Sequence, residues 1–165
     1  MKFPKLKRFI LSFKYVTEDE PLDTGGAILN AINTLDIKSD FLVINADTWL
    51  DQGVDVIYDT ISPSILVVSL ENCSRYGAVK FDKNYKVKSF EEKSLNKKGK
   101  GFINAGLMKL SPDIFINSNK RRFSLEKDIF SSLVEKNLLV ATPSNAFFID
   151  IGVPKDYEYF CKINK

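Results

Sequence analysis

Two uninterrupted apolar runs constrain this chain more than any other feature: Phe41-Leu42-Val43-Ile44, and Ser64 to Leu70 (SILVVSL). A strand with one wet face alternates apolar and polar side chains, whereas a short run without alternation suits a strand covered on both faces. Around these runs the spacing turns helical. Ile28, Ala31, Ile32 and Leu35 recur at helix intervals after Thr24-Gly25-Gly26, and Val54 to Thr60 fits a short helix. The rhythm predicts an α/β fold, a mostly parallel sheet flanked by helices.

The remaining elements follow from local signals. Phe13 to Thr17 alternates β-prone residues and predicts a strand ahead of the acidic turn Glu18 to Pro21. Ala78 to Phe81 and Lys86 to Phe90 form a predicted hairpin around Asp82-Lys83-Asn84, and Ser94 to Lys100 is a lysine-rich loop. Phe102 to Leu110, Leu138 to Ala141 and Phe147 to Ile149 read as strands. Ser111-Pro112-Asp113 caps a short helix, Ser124 opens an amphipathic one ending near Lys136, and Pro154 begins the last. No repeat and no boundary divides residues 1–165, which read as one domain.

Histidine is absent. That excludes Ser-His-Asp and Cys-His catalysis and HExxH zinc sites, and leaves carboxylates, Lys, Tyr, hydroxyls or a hard metal as the chemistry available. The 24 Lys+Arg against 21 Asp+Glu leave a net charge of +3. It is spread over scattered lysines, with arginine only at Arg8, Arg75, Arg121 and Arg122, so no nucleic-acid footprint is expected. No apolar stretch approaches the ~20 residues that span a bilayer, and Met1 to Leu11 is too interrupted for a signal peptide. Cys73 and Cys161 read as small buried hydrophobes of a cytoplasmic protein.

In open α/β sheets ligands bind beyond the carboxyl ends of strands. Asp47 and Asp150 both fall there, after Phe41 to Asn45 and after Phe147 to Ile149. Each could be an ordinary turn or capping residue; converging, the two would suit Mg²⁺, which takes one or two carboxylates and completes its shell with water and phosphate oxygens. Gly25-Gly26 before a helix offers either an anion-accepting backbone or a plain tight turn, and matches neither GxGxxG nor a P-loop.

In order along the chain stand Pro21-Leu22-Asp23-Thr24-Gly25-Gly26-Ala27, Asn45-Ala46-Asp47-Thr48, Arg75-Tyr76-Gly77, Phe90-Glu91-Glu92-Lys93, Asn104-Ala105-Gly106, Ser124-Leu125-Glu126-Lys127-Asp128 and Phe148-Ile149-Asp150-Ile151-Gly152. This ordered series, from about Phe13 to the C-terminus, resembles the sugar-1-phosphate nucleotidyltransferases. Mannose-1-phosphate and D-glycero-D-manno-heptose-1-phosphate guanylyltransferases are the nearest look-alikes. The resemblance implies a Rossmann-like fold of the nucleotide-diphospho-sugar transferase type, and an enzyme making a nucleotide sugar and pyrophosphate from a sugar 1-phosphate and a nucleoside triphosphate, GTP for a guanylyltransferase.

The resemblance also implies residue roles. Leu22, Thr24, Gly25 and Gly26 fall in the segment that meets the nucleobase; Asp47 and Asp150 match the two metal aspartates; Gly77 and Asn104 match sugar contacts. Glu92 matches the glutamate that grips sugar hydroxyls, and Lys93 the lysine that pairs with the sugar phosphate. Such chemistry runs on positioning and charge neutralisation and needs no histidine.

Two departures bear on these expectations. Asp23 and Ala46 stand where the family usually has glycine. No glycine precedes Gly25, so the family's G-x-G-T-R triphosphate loop has no counterpart. At about 30 residues per βα repeat, the expectation is of a chain that begins partway through the fold, about 60 residues in. The alternative function is then an inactive remnant or subunit that retains the sugar-phosphate half. Exposed edges at Phe41 to Ile44 and Ser64 to Leu70 would favour a homo-oligomer or a complementing N-terminal fragment.

Overall fold

The computed structural model describes residues 12–91, 99–116, 118 and 120–164. In chain order the elements are α1 (Asp23–Leu35), β1 (Phe41–Ile44), β2 (Thr48–Leu50), α2 (Val54–Tyr58), β3 (Ser64–Leu70), β4 (Val79–Phe81), β5 (Val87–Phe90) and β6 (Gly101–Leu110). After β6 come a 3₁₀ turn (Pro112–Phe115), a π-helical turn (Leu125–Phe130), α3 (Ser131–Glu135), β7 (Val140–Ser144), β8 (Phe148–Asp150) and α4 (Pro154–Ile163).

The main sheet has the order β1-β6-β3-β7. β6 runs antiparallel to both β1 and β3, and β3 runs parallel to β7. Three of the four strands therefore share one direction, but β6 is inserted against them, so the sheet is mixed, with one parallel and two antiparallel ladders where mostly parallel pairing is expected.

β3 is buried on both faces, and its side chains alternate between two cores as a period of two requires. Ile65 and Val67 join Met108, Leu110, Ile32 of α1 and Phe130; Leu66 and Val68 join Ile103, Ala105, Leu107 and Ile57 of α2. The run at β1 behaves differently. β1 has only β6 beside it among the described residues, and Leu42 and Ile44 are 37% and 53% exposed. The expectation of a doubly covered strand fails at β1 because it is an edge strand with one face uncovered, and the expectation of an exposed edge fails at β3 because it is interior.

Other sequence expectations are corrected by tertiary context. Phe13 to Thr17 is irregular, with Phe13 and Tyr15 exposed, since β propensity gives no ladder where no partner strand lies among the described residues. Asn45 to Thr48 was expected only as a strand end, yet Thr48 begins β2, which pairs antiparallel with β8. The amphipathic helix starts as expected, with the Ser124 hydroxyl accepting from the Lys127 N–H at 3.2 Å, but its first turns are π-helical. Cys73 is half-buried against Gly101 and Cys161 is exposed on α4, so neither is the fully buried hydrophobe expected.

Candidate functional site

The two-stranded β2–β8 ladder sets the centre of the site. Thr48 pairs across it with Asp150, and the Ile151 N–H donates to the Asp47 carbonyl at 2.8 Å. This places both aspartates at one end of the ladder. A Cβ built on Gly152 would stand 2.8 Å from Asp47 Oδ2 and 3.2 Å from Asp150 Oδ1. Both carboxylates thus approach the position that a side chain at residue 152 would occupy.

Two carboxylates close together suit the implied Mg²⁺ as a donor set. The ion takes oxygen ligands, needs few of them from protein, and leaves the rest to water and phosphate. Among the described residues no group of three or more His, Cys, Asp or Glu side chains is placed to hold a metal ion, so an ion here would take no more than the two carboxylates from them. Asp47 and Asp150 would hold the ion, which would supply positive charge to phosphate oxygens.

The loop after β1 is locked to β6 by a bulge. The β3–β6 register jumps between Ile65, opposite Met108, and Val67, opposite Asn104. Inside the jump Gly106 has φ +73°, its N–H donates to Asn104 Oδ1 at 3.1 Å, and its carbonyl accepts the Asn45 N–H at 2.9 Å. A Cβ there would meet Thr48 Oγ1 at 2.7 Å and Asn45 Nδ2 at 2.9 Å. Asn104-Ala105-Gly106 is therefore a bulge whose glycine supplies both a left-handed backbone and room for the Asp47 loop.

Arg75-Tyr76-Gly77 closes the other side. The Arg75 guanidinium lies 2.8 Å from Asp156 Oδ2 on α4 and 3.7 Å from Asp150 Oδ2, and over the Tyr76 ring at 5.2 Å. The Asp156 hydrogen bond raises the Arg75 pKa, and burial raises that of Tyr76, whose ring meets Phe148 edge-on. Gly77 takes φ +75°, a conformation that favours glycine.

A second group of motifs forms at α1. Gly25 and Gly26 lie in the first helical turn, where amides lack intrahelical partners, and both N–H groups donate to the Phe123 carbonyl, at 3.0 and 3.2 Å. A Cβ on Gly25 would meet the Phe123 ring at 2.4 Å, and one on Gly26 the Arg121 carbonyl at 2.5 Å. These glycines let α1 pack on the 121–123 segment. Leu22 is buried, and Thr24 bridges the groups: its hydroxyl donates to Glu126 Oε2 at 3.1 Å and accepts the Leu125 N–H at 3.0 Å.

Asp23, where the family usually has glycine, has φ +58°, so the departure falls on a left-handed residue that aspartate tolerates better than most. Its carboxylate is gripped by Arg122, Nε to Oδ2 at 2.9 Å and a terminal nitrogen to Oδ1 at 3.1 Å, which holds its pKa below the usual carboxylate range. Glu92 and Lys93 lie outside the described residues.

The sequence thus singles out Asp47, Asp150, Gly77, Glu92, Lys93, Asn104, Leu22, Thr24, Gly25 and Gly26; the structure brings Asp47 and Asp150 together beside Gly152 and sets Asn104 in the bulge whose Gly106 packs on Asn45 and Thr48. Sequence reasoning missed the parts played by Gly152, Thr48, Arg75 and Arg122. Each had only a faint signal, Arg75 and Arg122 as two of four arginines and Thr48 and Gly152 as members of a motif, and nothing local told what each would meet.

This sheet order, with an acidic pair beyond it, is the nucleotide-diphospho-sugar transferase fold. The crystal structure of HddC from Yersinia pseudotuberculosis complexed with GMP-PN superposes with a TM-score of 0.77 at 35% identity, over 90% of this chain and 65% of that one. Residues 2–163 match the nucleotidyl transferase family, and the chain belongs to it. A D-glycero-alpha-D-manno-heptose 1-phosphate guanylyltransferase of Campylobacter jejuni is 36% identical over 154 residues, covering 91% of this chain and 66% of its own length. A mannose-1-phosphate guanylyltransferase catalytic subunit beta of Drosophila melanogaster is 31% identical over 85% of this chain and 39% of its own. The chain spans less than two thirds of the length of each of these relatives. No helix among the described residues is long and apolar enough to cross a membrane.

Proposed function

We propose that this chain carries the sugar-phosphate side of a guanylyltransferase that joins a sugar 1-phosphate to GTP in the cytoplasm, giving a GDP-sugar and pyrophosphate. The observation that carries the proposal is the pair of carboxylates facing the space beside Gly152. A phosphate oxygen of the sugar 1-phosphate attacks the α-phosphorus of the triphosphate, one P–O bond forms, and the bond to pyrophosphate breaks. Both partners are anionic, so charge neutralisation and alignment dominate the barrier. Asp47 and Asp150 would hold Mg²⁺, which would supply part of that charge. Lys93 supplies more on the sugar phosphate, while Gly77, Glu92 and Asn104 meet the sugar. The nucleobase falls to the segment Leu22 to Gly26. Because the Gly25 and Gly26 amides are already taken, its exposed Thr24 side is where contact remains open. A heptose 1-phosphate is the favoured sugar, since the 36% identical relative bears that name.

A second reading is favoured by one specific observation: no glycine precedes Gly25, so these 165 residues hold no counterpart of the glycine-rich triphosphate loop. On that reading these residues bind the sugar phosphate, and turnover needs a triphosphate loop supplied from outside them. Calorimetric titration with heptose 1-phosphate and mannose 1-phosphate, beside pyrophosphate release with GTP and Mg²⁺, separates the two. Sugar-phosphate-dependent pyrophosphate release supports the enzyme; binding without release supports the partial site. Neither signal would overturn both.

A further inference from the structure

Asp150 divides its two oxygens. Oδ1 accepts the Gly152 N–H at 3.2 Å and looks toward the space shared with Asp47, while Oδ2 looks toward the Arg75 guanidinium at 3.7 Å. The guanidinium does not hydrogen-bond Asp150 at that distance. Its hydrogen-bonded partner is Asp156, at 2.8 Å, and its plane is steadied by the Tyr76 ring. Asp156 is in the first turn of α4, which begins just beyond the Asp150–Gly152 turn, so the fold sets the Arg75 guanidinium next to Asp150 and a carboxylate that pulls it aside.

We infer that Arg75 is a tethered cation that competes with the divalent metal for the Asp47/Asp150 pair, and that Asp156 sets how strongly it competes. This deepens the proposed function and rests on its metal site. The physical reasoning is Coulombic. An Arg nitrogen 3.7 Å from a ligand oxygen lowers the negative potential felt by an incoming dication, and Asp150 is oriented by its own bond to the Gly152 N–H, so it does not need Arg75 to keep its direction. Removing the guanidinium therefore raises metal affinity. Removing Asp156 does the reverse, since it frees Arg75 to close on Asp150 Oδ2 and deletes a nearby negative charge.

The test is divalent-cation binding by the full chain, read from the free Mn²⁺ signal in electron paramagnetic resonance and from calorimetry with Mg²⁺, with circular dichroism to confirm folding. Asp47→Asn should abolish the saturable site. Arg75→Gln should tighten it by roughly three- to tenfold, Arg75→Lys should stay near wild type, and Asp156→Asn should loosen it by a similar factor. In the Arg75→Gln background Asp156→Asn should lose most of its effect, because the tether then has nothing to hold. A merely structural Arg75 cannot produce tighter binding. If the wild type binds through Asp47 while Arg75→Gln binds equally or more weakly, the inference falls and the metal site stands. If binding is indifferent to Asp47, both fall. Should Arg75→Gln fail to fold, Asp156→Asn decides alone: unchanged or tighter metal binding overturns the inference.

Discussion

Thr48 and Asp150 stand opposite each other in the β2–β8 ladder, and this pairing turns two aspartates, separated by about a hundred residues of chain, toward the same side of Gly152. The narrowest part of that arrangement is residue 152 itself. Gly152→Ala would place a methyl group 2.8 Å from an Asp47 oxygen. Both carboxylates are able to swing away at little cost to the fold, so the expected outcome is unchanged thermal stability with Mn²⁺ affinity reduced about tenfold or more, measured on the same sample.

The Asp23–Arg122 clamp ties the start of α1 to the segment that packs on it. Since this bond lowers the Asp23 pKa, its contribution is present above the ordinary carboxylate range and is lost as pH falls through the lowered folded value. Asp23→Asn loses the charge but accepts the left-handed backbone, and Asp23→Ala loses both, so melting temperatures should fall in the order wild type, Asn, Ala. The gap between wild type and Asp23→Asn should be largest near neutral pH and shrink on acidification below the carboxylate range, read from thermal melts at a series of pH values.

Gly25 sits against the Phe123 ring, where an added Cβ would be 2.4 Å away. An aromatic ring buried in the core cannot retreat as a flexible side-chain end would. Gly25→Ala should cost about 1 to 3 kcal/mol in urea unfolding, the usual range for overpacking. Phe123→Ala is itself destabilising, but the double variant should be less destabilised than the two single effects combined.

Thr24 carries two hydrogen bonds to the Ser124–Asp128 segment, one to the Glu126 carboxylate and one from the Leu125 amide. Thr24→Val keeps the shape and removes the hydroxyl. It should lower stability by about 1 kcal/mol, and Thr24→Ser should recover most of that, measured by the denaturation midpoint.

β1 offers an edge with no described partner and two outward apolar residues, Leu42 and Ile44. Such an edge favours association. Sedimentation velocity over a concentration series should show reversible self-association of the wild type, reduced in Ile44→Lys with no change in circular dichroism. A compact monomer at every concentration would show that the edge is protected.

From the sequence alone the α/β class, the doubly buried β3, the helices α1 and α4 and the two aspartates at strand ends were legible. Each depends on local periodicity or on a residue's place relative to a strand. What needed the tertiary structure was everything decided by pairing. The FLVI run has the same apolar character as SILVVSL, yet one is an edge and the other central, because strand order is set by segments far away in the chain. Phe13 to Thr17 has strand propensity and no partner strand among the described residues. Likewise Gly152 looks like any turn glycine until the β2–β8 ladder brings two carboxylates to it, and Arg75 looks like a surface charge until α4 presents Asp156. Local chemistry chose the elements; the long-range ladder and the packing of α4 chose which charges meet.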